Sequence, residues 1–73
     1  MAENVWCTPH DDGFQVKREG AERASSVHGT QEEAWGEAQR LARADQVEAI
    51  LAGRDGQIRE RNSFGNDPRN VPG

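Results

Sequence analysis

The chain has 73 residues, of which 33% are hydrophobic, so it holds one small domain whose core is either minimal or partly covered by a second copy. Its 13 acidic and 9 basic residues give a formal net charge of −4, which disfavours indiscriminate binding to nucleic acid or anionic membranes. We therefore expect self-association or binding to another protein, with nucleic acid as a less favoured partner.

The first third of the chain is predicted to form strands. Alternating apolar and polar residues place them at residues 4–8, 14–19 and 24–28, the third being the shortest. In the first strand, Trp6 faces away from its apolar neighbours. The turn between the first two strands ends at Gly13, to which we assign a positive φ because such turns favour glycine there. The first two strands therefore form a hairpin.

The segment after the third strand begins with a capping box. Thr30 can accept a hydrogen bond from the backbone N–H of Glu33, whose carboxylate can reach back to the Thr30 N–H. The apolar positions that follow recur at helical spacing, which predicts a helix over residues 31–44. Trp35 lies at the edge of this mostly alanine stripe, which allows the helix to approach a sheet closely. The stripe consists of Ala34, Ala38, Leu41 and Ala42.

The most apolar run of the chain is predicted to be a buried strand. It covers residues 47–52, and its length and flanking residues favour a strand over a helix. The turn sequence Gly53-Arg54-Asp55-Gly56 is the strongest hairpin signal in the chain, so residues 57–62 are predicted to return as a second strand. Alternation in that strand places Ile58 inward and its arginines outward.

These elements predict an α+β fold with the order β-β-β-α-β-β, in which antiparallel hairpins pack on one helix. Residues 1–62 form the single domain. Residues 63–73 contain Pro68 and Pro72 and are predicted to be an irregular tail, which Phe64 anchors to the domain.

Several short motifs resemble those of a known family. The motifs around Gly13-Phe14 and over residues 30–34 combine with two more specific ones, Arg54-Asp55-Gly56-x-Ile58 and Phe64-Gly65-Asn66-Asp67-Pro68. Together they resemble a small prokaryotic family of domains of unknown function, number 2188, over nearly the whole chain. The resemblance implies a small α+β domain and no particular reaction. A histidine that is common in this family before the turn is replaced here by Ala52, so no role of that histidine carries over.

The sequence contains no residue pattern that catalysis, a metal or a cofactor requires. Cys7 and His10 lack the second ligand pair of a structural zinc site, so we interpret Cys7 as a buried thiol. Asp55 and Glu60 are two carboxylates near one hairpin, but aspartate is favoured in such turns for backbone reasons. We also expect no small-molecule pocket in a domain of this size. The chain is predicted not to be an enzyme.

The cellular compartment is predicted from the absence of disulfide pairs, membrane spans and a signal peptide. A single cysteine allows no intramolecular disulfide. No apolar stretch approaches the roughly 18 residues of a membrane span, and no signal-peptide segment follows Met1. The default expectation is a cytoplasmic protein.

The aromatic residues are the leading candidates for a protein interface. Trp6 and Trp35 lie off the apolar stripes of their own elements, and an exposed tryptophan on a small domain commonly marks an interface. The tail motif with Phe64, Asn66 and Asp67 can dock on a neighbouring subunit or fold back on its own chain. The main hypothesis is a non-enzymatic protein-interaction module, and its partner can be a second copy of the same chain in a homodimer.

A basic face gives the alternative hypothesis. Lys17, Arg59 and Arg61 are predicted on one exposed face, joined by Arg54 at the turn, and arginines in this arrangement can bind phosphates. The competing interpretation is a solvated face crossed by arginine–glutamate pairs, which the acidic total favours. Nucleic-acid binding is therefore the alternative function.

Overall fold

A computed structural model describes residues 3–11 and 13–64 and confirms the predicted α+β fold and its element order. The first three strands precede a helix, and the last two follow it. The last strand includes Ser63, which we had assigned to the irregular tail. The elements are β1 (Val5–His10), β2 (Gly13–Arg18), β3 (Ser26–His28), α1 (Gln31–Asp45), β4 (Glu48–Ala52) and β5 (Ile58–Ser63).

All five strands belong to one mixed sheet with the spatial order β3-β2-β1-β4-β5. The pairs β1–β2, β2–β3 and β4–β5 are antiparallel, as hairpin connections require. The central pair β1–β4 is parallel, because α1 carries the chain back across the sheet before β4 begins. The carboxyl ends of β1 and β4 therefore lie at the same end of the sheet.

The helix packs on one face of the sheet through the predicted alanine stripe. Ala34, Ala38 and Ala42 have no exposed surface, so the backbone of α1 lies close to the strands beneath it. The backbone nitrogen of Glu33 donates to Oγ1 of Thr30 at 3.2 Å, which confirms the predicted N-cap. Gln46 ends the helix in the left-handed conformation with φ 59°.

The core between α1 and the sheet is built from small side chains. Val5, Cys7 and Val16 are the largest fully buried side chains in the described residues, and Ala49 and Leu51 of β4 complete the sheet side. The aromatic side chains that pack against this core are only partly buried. A core of this composition buries little apolar area, which leaves the domain a narrow margin of stability.

Gly13 is required for a different reason from the one we predicted. The glycines with positive φ in the described residues are Gly20 and Gly56, and Gly13 is not among them. A Cβ atom at Gly13 would overlap the carbonyl oxygen of His28 and lie 3.2 Å from its carbonyl carbon. The position needs glycine because the backbone of β3 passes directly against it.

A β-bulge in the last hairpin reverses the predicted orientation of Ile58. Leu51 is paired with Glu60, but the next residue, Ala52, is paired with Ile58, so Arg59 is an extra residue in β5. The bulge shifts the alternation by one position. Ile58 is consequently 46% exposed, and the prediction that it points inward was wrong.

Candidate functional site

The face of the sheet opposite α1, which we call the open face, has Trp6 near its centre. Strand pairing places Trp6 beside Lys17 of β2 and Ile50 of β4, and Ile50 beside Arg61 of β5. Paired residues project from the same side of a sheet, so these four side chains form one row across four strands. Alternation in β1 predicted that Trp6 would face away from the core, and the structure confirms it.

A second row lies beside the first and ends in two exposed apolar side chains. Gln15 is paired with Thr8 and Val27, and its Nε2 donates to Oγ1 of Thr8 at 3.2 Å. Val27, at the β3 edge, is 56% exposed, and Ile58 occupies the β5 edge. Ile50, in the first row, is only 3% exposed. The open face thus has a filled apolar centre and uncovered apolar edges.

The charges of the open face balance each other. Nε1 of Trp6 donates to Oε1 of Glu19 at 3.3 Å, and Nε of Arg61 lies 3.5 Å from Oε1 of Glu48. Lys17 and Arg61 are thereby matched by two carboxylates. The face has no net charge, although the whole chain carries −4.

The basic residues that we predicted to form one face are divided between two surfaces. Lys17 and Arg61 lie on the open face. Arg54 and Arg59 instead line a cavity on the helix side of the sheet, because the bulge at Arg59 changes the direction of its side chain. The prediction of a single basic face was therefore wrong. Nη2 of Arg59 forms an ion pair with Oδ2 of Asp55 at 3.6 Å.

The aromatic residues that we grouped as an interface are also divided. Trp35 and Phe64 pack against the core on the helix side, opposite Trp6. The backbone nitrogen of Phe64 donates to the carbonyl of Val47, and the Arg43 guanidinium lies 5.3 Å from the ring centroid. Phe64 thus holds the end of β5 on its own chain. The other two tail candidates, Asn66 and Asp67, lie outside the described residues.

Two open surface cavities lie on opposite faces of the sheet. One, of about 360 Å³, lies beside Trp6 on the open face and is lined by Thr8, Lys17 and the chain after β2. The other, of about 340 Å³, is the arginine-lined cavity on the helix side. Both volumes lie at the lower end of the range of ligand pockets.

Cys7 is a buried thiol, as we interpreted it. It has no exposed surface, and burial raises its pKa to about 11 by penalising the thiolate. Among the described residues, no three histidine, cysteine, aspartate or glutamate side chains cluster so as to hold a metal ion. In the same part of the chain, no helix is long and apolar enough to cross a membrane.

Sequence reasoning missed Val27 and Ile58 as surface candidates. Val27 alternates with Ser26 and His28, and this signal was available, but a strand of three residues gives too short a pattern to assign a face. The exposure of Ile58 depends on the bulge, for which the hairpin sequence carried no signal that we recognised.

Comparison with known proteins identifies the family. A family model described as an uncharacterized protein conserved in bacteria, DUF2188, matches residues 5–64, and the chain belongs to this family. The matched range extends from Val5, the first residue of β1, to Phe64, the residue directly after β5. No match was found to a curated protein or to a solved structure.

Proposed function

We propose that this DUF2188 domain is a non-enzymatic protein-interaction module that associates with a second copy of itself through the open face. One observation carries the proposal: the open face combines a central tryptophan, exposed apolar edges and balanced charge. Tryptophan is enriched at the energetic centre of protein interfaces, and the charged side chains around Trp6 offset one another, so they leave no net charge there. In the described residues, α1 packs on the opposite face of the sheet, and no other helix is available to cover this one.

The charge distribution supports a second copy as the partner. Two chains of net charge −4 repel each other at long range, but salt at physiological concentration screens that repulsion beyond about 8 Å. At contact, the two open faces each carry Lys17 and Arg61 against Glu19 and Glu48 and add no net repulsion. The clustered carboxylates Glu32 and Glu33 lie in the first turn of α1, on the other side of the sheet.

The dimensions of the face set the expected strength of association. Five strands spaced about 4.8 Å apart, with a rise of about 3.3 Å per residue, give a face of roughly 400–500 Å² per copy. A face-to-face dimer would therefore bury about 900 Å² in total, below the roughly 1,200 Å² of stable specific interfaces and within the range of weak, transient ones. We expect a reversible dimer with a dissociation constant of about 100 μM, an order-of-magnitude value for a small interface.

The proposal is tested by a pair of substitutions that add the same charge to opposite sides of the domain. Val27→Lys places an ammonium group on the open face, where it would be buried in the dimer. Ala44→Lys places one on the exposed side of the last helical turn. Both positions are exposed, so both variants should fold as the unmodified chain does, which circular dichroism checks.

Sedimentation velocity over a concentration series gives the outcome. We expect the unmodified chain and Ala44→Lys to dimerise alike, and Val27→Lys to remain monomeric because a desolvated, unpaired ammonium is costly. Equal weakening by both substitutions would contradict the open face as the interface. A mass increase that requires added oligonucleotide, and that disappears with salt, would favour nucleic-acid binding instead.

A further inference from the structure

The bulge in β5 directs Arg59 into the cavity on the helix side. In a regular hairpin, Arg59 would be opposite Ala52 and would project from the open face. The extra residue removes it from the pairing, and its side chain lines the cavity together with Arg54 of the adjacent turn. Bulges commonly change the direction of a side chain in this way beside binding sites.

The guanidinium of Arg59 lies against the turn, although 59% of its side chain is exposed. A Cβ atom at Gly53 would lie 2.8 Å from Nε and 2.9 Å from Nη2 of Arg59, so the guanidinium lies directly against the Gly53 backbone. Oδ2 of Asp55 lies 3.6 Å from Nη2, while Oδ1 accepts a hydrogen bond from the backbone nitrogen of Gln57 at 3.1 Å. A guanidinium has five N–H donors, so the single ion pair with Asp55 leaves most of them available.

The remaining lining of the cavity is apolar on one side. Pro9, Phe14 and Leu51 form that side, at the carboxyl ends of the parallel strands β1 and β4. Gln31, the first residue of α1, adds an amide. Both charged residues of the lining are arginines.

From this arrangement we propose that the cavity binds a small molecule that carries a phosphate or carboxylate group on an apolar body. The guanidinium groups of Arg54 and Arg59 contact the oxyanion, for which their planar donor geometry is suited. The apolar body lies against Phe14 and Leu51. The cavity is separate from the open face, so ligand binding there can be tested independently of self-association.

Phenyl phosphate is a suitable probe because it combines an aromatic ring with a phosphate, and its binding is followed by ¹H–¹⁵N NMR of the full chain. We expect saturable shifts at the amides of Phe14, Gln31, Gly53 and Arg54, with a dissociation constant of about 1 mM for a probe of this size. Benzoate tests the carboxylate form of the same chemistry, and the tighter of the two probes identifies the preferred oxyanion. Inorganic phosphate and benzyl alcohol, which each lack one part, should bind more weakly than the tighter probe.

Arg59→Gln removes the charge and should weaken binding of the tighter probe about tenfold, the typical effect of losing one charge-assisted contact. Arg23→Gln is the matched control, because Arg23 lies in the β2–β3 connection at the other end of the sheet. Equal weakening by both variants would reduce the effect to general charge attraction and overturn the proposal. The absence of saturable shifts for phenyl phosphate and benzoate, at roughly twentyfold above the expected constant, would also overturn it.

Discussion

Ile50 and Ile58 provide a direct test of the bulge, because the same side chain is nearly buried at one position and half exposed at the other. Their exposed fractions are 3% and 46%, a difference of 43 percentage points. Complete burial of an isoleucine side chain contributes about 3 kcal/mol, so this difference alone corresponds to about 1.3 kcal/mol. Truncation of Ile50 also leaves a cavity, which adds to its cost.

We therefore expect Ile50→Ala to lower the free energy of unfolding by about 3 kcal/mol and Ile58→Ala by about 1 kcal/mol. Urea unfolding followed by tryptophan fluorescence measures both, at protein concentrations low enough that self-association makes no contribution. If Ile58→Ala costs as much as Ile50→Ala, Ile58 is buried as the simple alternation predicted. The bulge, and with it the placement of Arg59 in the cavity, would then be refuted.

Further predictions concern two glycines and the buried thiol. Gly36→Ala should raise the free energy of unfolding by about 0.5–1 kcal/mol, because Gly36 lies within α1 and nothing is near enough to obstruct a Cβ atom. Gly13→Ala should lower it by more than about 1 kcal/mol through overlap with the His28 carbonyl, and the same urea titration measures both. The free energy of unfolding should also fall as pH rises from 9.0 to about 11, because the unfolded chain ionises Cys7 before the folded one does. The free energy of unfolding should fall by about 2 kcal/mol over this interval. The Cys7→Ala variant should not show this fall. A constant free energy of unfolding in the unmodified chain would contradict the burial of the thiol.

Much of the fold could be predicted because it depends on local sequence. The N-cap at Thr30 and the alanine stripe define α1, and the Gly53–Gly56 turn defines the last hairpin. The spatial order of the strands in the sheet could not be predicted from local sequence. The parallel pairing of β4 with β1 joins segments about 40 residues apart, and no local pattern reports such a contact.

The candidate surfaces could be predicted only where alternation continued without interruption. Trp6 was placed on the correct face because β1 has a regular register. Arg59 was misplaced because one extra residue in β5 changed the direction of every position between the bulge and the turn. The Gly13 requirement was misassigned for a related reason, since contact with the His28 backbone is a tertiary feature. In this small sheet, the bulge at Arg59 separates the open face from the arginine-lined cavity, although sequence analysis predicted that their basic residues shared one face.

The measurement that tests the central proposal most directly is sedimentation equilibrium of the unmodified chain at low and high salt. A monomer of 8.1 kDa in reversible equilibrium with its dimer is expected at concentrations near about 100 μM. Added salt should leave that association unchanged or strengthen it, because the open faces carry no net charge and only the long-range repulsion is screened. A mass that stays at 8.1 kDa up to about 1 mM, roughly tenfold above the expected constant, would contradict self-association through the open face.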